Sequence, residues 1–527
     1  MSLDRRLLLG AAAGWPFTAS LPRAYGGERY APLKAMLSVE PSTLNYPLLN
    51  VRQLQQVCGS IHESLLRFDW QFKPRPNLAK RFTISPDGLV YTFHLQENVL
   101  WHDGVPFTAL DVVFSSDVML RQLSARSRVA LDRCESIKAL DDYTVEYRLK
   151  APFNAFIFSF MGSTGPMMPA HIYEGTNFVT NPYNYKPIGT GPFKFHQWSR
   201  GQFIHLIRND NYWRAGQPLL TDIYYRIVPA ADQRMVAIET GAVDIAFGQD
   251  IDPVVMSRLR ANPILRTITN AYDADGEIVV MEINQRRFPF NDRRFRAAIM
   301  HAINRQFLVD AVNFGMGKIS EGPIPSTAPY YDDNALVKYP FDPNRARALL
   351  DEMGLKPNSE GVRGKLRMLF LSDGGGAIER GALYCKQALT GIGLQIDIQR
   401  ADWANFNQQE SNWDYDLAWN SYGSYGDPAI GTSRLYLSSN IRKGTPATNL
   451  QGYINPEIDM LFAKAVKALT HDEAQLHYSR IQNILTRDVA MLWMYERKSV
   501  IFHNSRLHNL VNTPNGPCDG FGEAFIA

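Results

Sequence analysis

The stretch that decides the fold runs from residue 366 to residue 398 and reads LRMLFLSDGGGAIERGALYCKQALTGIGLQIDI. Its apolar run at 366–371 predicts a buried strand, and the loop at 372–376 leads into a helical pattern over about residues 377–389. A second apolar alternation follows at 394–398. Strand, helix and strand in this order predict a right-handed βαβ unit, and therefore a parallel sheet of the α/β class.

The same alternation of strands and helices occurs earlier in the chain. Apolar strands are predicted at 223–228 and 243–247, with a helix at about 232–239 between them. The character changes near Val280, and one more buried strand is predicted near Trp493. Two α/β lobes, with the chain crossing between them at these two places, would enclose a cleft. A cleft of this kind is the usual location of a ligand site, and hinged closure is the expected motion.

The segment 85–115 has a different, hairpin-like pattern. A turn at 85–88 precedes a strand in which Tyr91, Phe93 and Leu95 alternate with polar residues. Thr108 then precedes Asp111 by three residues, an acidic variant of the capping box that begins a helix.

Composition restricts the class of protein. A chain of 527 residues is longer than one hydrophobic core supports, so two or three domains are expected. The net charge of +3 gives no electrostatic basis for binding nucleic acid. The four cysteines include no CxxC pair, so a zinc or redox motif is not predicted, and a disulfide such as Cys58 to Cys134 stays open.

Residues 1–26 have the pattern of an export signal. Arg5 and Arg6 precede a short apolar run at 7–13, and small residues follow near Ala24. The paired arginines indicate the twin-arginine route. A transmembrane anchor would need about 20 apolar residues, which this run does not supply. We therefore expect the mature protein in the periplasm.

Several phrases occur along the chain in a specific order. They are Pro41-Ser42-Thr43-Leu44-Asn45 and the segments 87–88, 101–104, 111–114, 187–193, 209–213, 241–245, 292–299 and 426–428. With these phrases the chain resembles the family 5 extracellular solute-binding proteins of peptide, nickel and related ABC importers. The resemblance implies an α/β fold like that of type II periplasmic binding proteins, with two lobes, a hinge and an inserted α+β middle domain.

The resemblance also implies domain limits and partners. Lobe I would comprise residues 27–54, 181–281 and 491–527, the inserted domain 55–180, and lobe II 282–490. A protein of this kind is expected to be a monomer without a cofactor or bound metal. It would deliver a small-molecule or peptide ligand to an inner-membrane ABC permease complex.

The segment 419–428 holds the first candidate site residues. In relatives that grip the α-amine of a peptide, an aspartate stands four residues before the proline matched here by Pro428. Ser424 occupies that position, and a hydroxyl cannot supply the charge-assisted bond that a buried ammonium requires. Asp427 is the nearest acid and is kept as a candidate, although a structural role fits it better.

Aromatic residues of the same segment are further candidates. Trp419, Tyr422 and Tyr425 are expected around the cleft, where they would stack on a ligand or hold a cation, and core packing stays open for Trp419 and Tyr422. Trp403 is expected in the core.

Two more candidates come from small-residue segments. Ser42 lies in the matched phrase near the N-terminus, and Gly374 lies in the loop at 372–376. Backbone N–H groups after this loop would be available to a polar or anionic group. A plain connection between strand and helix is the alternative.

Catalytic patterns were sought in the sequence. It contains no G-x-S-x-G, H-E-x-x-H, G-x-x-x-x-G-K-[ST] or G-x-G-x-x-G. We therefore predict a binding protein and not an enzyme, with a periplasmic hydrolase as the less favoured alternative and a sensory receptor also compatible. The ligand is predicted to be a peptide or peptide-like, and the alternatives are an opine, a quaternary amine, an oligosaccharide or a metal complex.

Overall fold

The computed structural model describes residues 31–49, 51–372 and 376–527, so the predicted export signal at 1–26 lies outside the described residues. The strands in chain order are β1 (Leu33–Leu37), β2 (Leu66–Phe68), β3 (Pro74–Pro76), β4 (Ala79–Ile84), β5 (Val90–Leu95), β6 (Cys134–Asp141), β7 (Thr144–Leu149), β8 (Phe193–Ser199), β9 (Phe203–Arg208), β10 (Asp222–Ile227), β11 (Ile245–Phe247), β12 (Leu265–Ile268), β13 (Ile278–Ile283), β14 (Gly317–Ile319), β15 (Gly364–Leu371), β16 (Leu394–Ala401), β17 (Leu417–Tyr422), β18 (Leu492–Arg497), β19 (Ile501–Asn504), β20 (Leu507–His508) and β21 (Phe525–Ile526).

The α-helices are α1 (Arg52–Cys58), α2 (Ala109–Val113), α3 (Arg121–Leu123), α4 (Ala125–Leu131), α5 (Ala170–Tyr173), α6 (Ala231–Glu239), α7 (Pro253–Ala261), α8 (Arg293–Ala302), α9 (Arg305–Phe307), α10 (Pro343–Glu352), α11 (Gly376–Thr390), α12 (Trp403–Ser411), α13 (Pro428–Gly431), α14 (Pro456–Ala465) and α15 (His471–Asp488). Within the described ranges, none of the helices is long and apolar enough to cross a membrane.

The largest sheet has seven strands in the order β12-β19-β11-β1-β10-β9-β8. Its central strands β11, β1 and β10 run parallel to one another, and the outer strands pair antiparallel. We call this sheet and the helices packed on it lobe I. Leu33, Ile245 and Ile501 belong to its buried core.

Lobe II is built on a six-stranded sheet in the order β14-β18-β13-β17-β15-β16. The predicted βαβ unit is confirmed, because β15 and β16 are parallel and α11 connects them. The helix buries Ala382, Cys385 and Leu389 in one core with Met368 and Leu394 of the strands. The expected mixed α/β architecture with two lobes is therefore present.

A smaller antiparallel sheet, β4-β5-β7-β6, forms what we call the middle domain. The predicted capping box of Thr108 and Asp111 begins α2. The carboxylate of Asp111 also accepts hydrogen bonds from the indole of Trp101, at 3.2 Å, and from the backbone N–H of Ala170, at 3.0 Å. One acidic side chain thus holds the start of α2, the turn at 101–104 and the start of α5 together.

The chain passes between the lobes twice. Residues 269–277 connect β12 to β13, and residues 498–500 connect β18 to β19. Val280 and Trp493 lie within strands of lobe II, a few residues from the two connections. The predicted domain limits stay a prediction.

The four cysteines lie within the described residues, and all are free and buried. Each packs as a small apolar side chain, and burial raises the pKa of the Cys134 thiol to about 12.

A buried arginine ties two helices of lobe II together. Arg296 of α8 donates hydrogen bonds to the carbonyls of Asp488 at 2.7 Å, Val489 at 2.9 Å and Phe290 at 2.8 Å. Asp488 is the last residue of α15, and Val489 follows in the left-handed conformation with φ of 48°. The last carbonyls of a helix have no partner within the helix, so the guanidinium supplies one.

We expect Arg296→Lys to lower the free energy of unfolding by about 2 kcal/mol, because a single ammonium cannot reach three carbonyls in the fixed geometry of a guanidinium. Urea unfolding followed by circular dichroism measures the change. Arg294→Lys is the matched control, since the half-exposed Arg294 of the same helix pairs with Asp292, and a change below about 0.5 kcal/mol is expected there. Equal losses in the two variants would contradict this role of Arg296.

Candidate functional site

A cavity of about 440 Å³ lies between lobe I and lobe II, beside the two connections that join them. Its volume is within the range of about 300–1,000 Å³ that is typical of small-ligand pockets. Residues of both lobes and of both connections line it, among them Gln53, Ala231, Gly248, Asp250, Glu277, Asn313, Met316, Ala377 and Ser499.

The position of the cavity follows from the parallel strands. In lobe I the residues that follow β10 and β11 line the cavity. In lobe II the start of α11, which comes after β15, lines it through Gly376 and Ala377. Ligands of open α/β sheets bind outside the carboxyl ends of the parallel strands, and here both lobes present this edge to the same space.

Charged side chains of both signs border the cavity near the connections. Arg52 pairs with Asp275 at 2.6 Å, and Arg497 pairs with Glu277 at 3.4 Å. Burial alone would raise the pKa of Glu277, but Arg497 and Arg52 lower it below its usual value. Lys498 also borders the cavity, is exposed, and forms no ion pair with any residue that the structure describes.

Asp250 is the most deeply buried carboxylate that lines the cavity. Only 1% of the residue is exposed, and Oδ1 accepts a hydrogen bond from the hydroxyl of Ser38, which follows β1. Oδ2 has no hydrogen-bond partner within the described part of the chain. Burial raises the pKa of Asp250 to about 6, although Ser38, the charge of Arg234 and the nearby amide of Gln53 act in the opposite direction.

The lobes are in a closed arrangement around this cavity. Asn154 of the middle domain donates from Nδ2 to the carbonyl of Ala465, the last residue of α14 in lobe II, at 2.8 Å. Arg126 of α4 stacks over the ring of Tyr425 with 3.9 Å to its centroid. Arg380 of α11 approaches Asp252 of lobe I at 3.6 Å. Lobe II therefore contacts both the middle domain and lobe I.

This architecture matches a known family. The model of the family described as bacterial extracellular solute-binding proteins, family 5 Middle, matches residues 73–443. The chain belongs to this family. The resemblance expected from the sequence phrases is thereby confirmed.

Individual relatives extend the likeness over the whole chain. The glutathione-binding protein GsiB of Pectobacterium atrosepticum is 26% identical over 529 residues, covering 98% of this chain and 97% of that protein. The oligopeptide-binding protein AppA of Bacillus subtilis is 26% identical over 452 residues, covering 82% and 80%. The periplasmic binding protein DppA of Helicobacter pylori, solved with the peptide STSA, has a TM-score of 0.78 and 24% identity, covering 95% of this chain and 99% of that one.

Family 5 proteins bind solutes for ABC importers, and the chain is accordingly a solute-binding protein and not an enzyme. The matched residues include the middle domain and parts of both lobes. Because one fold can serve many functions, the ligand must be argued from the cavity and its lining residues.

Ser424 lies away from the 440 Å³ cavity. With Tyr422 it borders a separate space of about 10 Å³, which has room for one water molecule. The residue is 3% exposed, and its hydroxyl oxygen has no hydrogen-bond partner among the residues that the structure describes. In this structure the position therefore offers an ammonium neither a negative charge nor sufficient room.

The aromatic candidates are divided between core, interface and surface. Trp419 is 2% exposed and packs in the core of lobe II, so of the two alternatives for this residue the structure shows core packing. A Cβ on Gly381 of α11 would stand 2.7 Å from its ring, which explains the glycine at that position. Tyr425 lies under Arg126 at the contact with the middle domain.

The expectation of a core position for Trp403 is wrong, because this first residue of α12 is 65% exposed and the helix buries Phe406 instead.

The remaining candidates lie outside the cavity or outside the described residues. Asp427 caps α13 by accepting a hydrogen bond from the backbone N–H of Ala429 at 2.7 Å, which is a structural role. Ser42 is exposed in the loop after β1. Gly374 lies outside the described residues. Binding roles for the candidate residues stay predictions.

Sequence reasoning missed a pair of buried acids in lobe II. Glu282 of β13 accepts hydrogen bonds from the hydroxyls of Tyr415 and Tyr422, and Glu410 of α12 accepts one from the amide of Asn420 at 2.6 Å. Burial raises the pKa of both carboxyls, and their mutual repulsion raises that of Glu410 further, so the pair retains a proton. The signal was available, since Glu282 is the one charged residue in an otherwise apolar strand.

Removing one acid of this pair should change how stability depends on pH. The folded pair binds protons that the unfolded chain releases above about pH 4.5, so the contribution of this pair to the free energy of unfolding falls as the pH rises toward neutrality. Glu410→Gln removes one of the two titrating groups and the repulsion between them. We expect its stability, relative to the unaltered protein, to increase by on the order of 2 kcal/mol between pH 5 and pH 8.

Urea unfolding at a series of pH values measures this difference. Glu457→Gln in α14 is the control, because the side chain of that glutamate is 42% exposed and pairs with Arg480 at the surface. A Glu410→Gln protein whose stability runs parallel to that of the unaltered protein across the range would show that the pair carries no extra proton.

Proposed function

We propose that this protein captures a peptide or peptide-like solute in the 440 Å³ cavity and presents it to an inner-membrane ABC permease complex from the periplasm. The observation that carries this proposal is a cavity that lies between two lobes in contact and is bordered by carboxylates and cations together. Peptides carry charges of both signs, and a fully enclosed ligand needs a partner for each of them. The names of the relatives GsiB and AppA, a glutathione-binding and an oligopeptide-binding protein, support the same class.

One observation favours a different ligand class. Ser424 stands where the sequence resemblance implies an acid that holds a peptide amine, and the space beside it holds no more than a water molecule. A non-peptide solute, namely an opine, a quaternary amine, an oligosaccharide or a metal complex, would not need that acid. The protein is proposed to act as a monomer, as the family resemblance implies.

Ligand binding should stabilise the protein in proportion to its occupancy. A solute present at 100 times its Kd adds about 2.7 kcal/mol to the free energy of unfolding. We expect a shift in melting temperature with glutathione or with short peptides, together with a smaller radius of gyration in X-ray scattering as the lobes close. A shift produced only by an opine, a betaine, a sugar or a nickel chelate would show that the captured solute belongs to that class and is not a peptide. No shift with any of them would contradict solute capture in this cavity.

Asn154→Ala should weaken ligand binding although Asn154 is remote from the cavity lining. The amide bridges the middle domain to the end of α14 in the arrangement observed here, so its loss should remove about 1 kcal/mol from the closed state and raise Kd about fivefold. Isothermal titration measures the Kd. Asn177→Ala is the control, because Asn177 hydrogen-bonds within its own turn on the same domain. Unchanged affinity in Asn154→Ala would show that this contact does not favour closure.

A further inference from the structure

Among the described residues, hydrogen-bond donors reach one of the two carboxylate oxygens of Asp250 and not the other. One oxygen is held by the Ser38 hydroxyl, whereas Oδ2 is buried without a hydrogen-bond partner in the described residues and the residue lines the 440 Å³ cavity. An ionised carboxylate taken out of water is costly unless it is paired. A buried acid that keeps one oxygen free at a cavity wall is therefore suited to a cationic partner that enters the cavity.

The nearest cation of the protein does not fill this role. Arg234 of α6 directs Nε to the backbone carbonyl of Asp250 at 2.6 Å, and Nη1 to the carbonyls of Val228, at 3.3 Å, and Pro229. Nε and Nη1 are thus used on the backbone, where they hold the turn at 248–250 against the start of α6. This arrangement fixes the position of Asp250 without neutralising its free oxygen.

The other cations of the cavity already have partners or lie at the surface. Arg52 and Arg497 pair with Asp275 and Glu277, and Lys498 is exposed. Asp252, the second acid of this wall, is more exposed than Asp250 and approaches Arg380. Asp250 is therefore the acid of the wall that combines deep burial with an unused oxygen.

We propose that Asp250 binds the primary ammonium group of the captured solute. The inference rests on the proposed function and names the chemical class of ligand, a solute with a free amine. It places the amine partner on lobe I, after β11, instead of at Ser424 on lobe II. The ammonium donates to Oδ2, while the hydroxyl of Ser38 keeps Oδ1 and the orientation of the carboxylate fixed.

The test compares each amine-bearing probe with its acetylated counterpart. Alanyl-alanine and glutathione are titrated calorimetrically against the unaltered protein, beside N-acetyl-alanyl-alanine and N-acetyl-glutathione. Acetylation removes the charge and leaves most of the remaining structure. We expect the free amines to bind about 100-fold more tightly, the loss typical of a buried charge without its partner.

The variant Asp250→Asn then shows whether this carboxylate causes the preference for free amines over acetylated probes. The amide keeps the shape and the bond to Ser38 but loses the charge, so the 100-fold preference should fall to within about threefold. Asp273→Asn is the matched control, because Asp273 is a partly buried acid near the same connection that does not line the cavity. That variant should keep the preference, and thermal unfolding checks that both variants are folded.

The outcomes separate the inference from the proposed function. Equal binding of free and acetylated probes by the unaltered protein overturns the inference and leaves the function standing, and this comparison needs no variant. A preference that survives Asp250→Asn, or that disappears equally in Asp273→Asn, also overturns the inference. If none of the four probes binds, capture of a peptide-like solute fails and the inference fails with it.

Discussion

The two connections between the lobes are the constraint on which the site depends. Residues 269–277 and 498–500 run side by side between a seven-stranded and a six-stranded sheet, and a pair of connections of this kind is the usual hinge of two lobes. Ion pairs of Arg52 with Asp275 and of Arg497 with Glu277 fix the charged residues of this region relative to one another. Because both sheets turn the carboxyl ends of parallel strands toward the connections, the space next to them is where backbone and side-chain polar groups converge. A ligand cavity at this place is a consequence of the topology and not of any single motif.

Buried acids in this protein are satisfied in two different ways. Glu282 and Glu410 have raised pKa values and accept hydrogen bonds from tyrosine and asparagine side chains of lobe II. Oδ1 of Asp250 accepts a hydrogen bond from a hydroxyl, whereas Oδ2 has no hydrogen-bond partner among the residues that the structure describes. The first arrangement is complete within lobe II, whereas in the second a group that enters the cavity is proposed to pair with Oδ2. This contrast distinguishes a structural acid from one that is available for recognition, although burial raises the pKa in both cases.

Sequence patterns predicted the parts of this structure that depend on local interactions. The βαβ unit around α11 and the capping box of Thr108 and Asp111 follow from the spacing of apolar and polar residues a few positions apart. The buried pair of Glu282 and Glu410 and the bond between Ser38 and Asp250 join residues more than a hundred positions apart, so no local pattern encodes them. Trp403 was placed in the core because tryptophan is usually buried, and its exposure at the start of α12 shows that such a preference does not determine an individual position. The family phrases predicted the architecture correctly but directed attention to Ser424, away from the cavity.

The location of the amine partner also bears on how the lobes close. A ligand shifts a conformational equilibrium only through groups that it contacts better in one state than in the other. Asp250 follows β11 and belongs to lobe I. A solute held there by its charge therefore binds before lobe II closes over it, and this contact does not by itself favour the closed state. Closure must then come from contacts that exist only when the lobes meet, such as Asn154 with the end of α14 and Arg126 with Tyr425, and from the lobe II residues that complete the cavity wall. Lobe I thus selects the solute by its charge, whereas contacts made by lobe II enclose it.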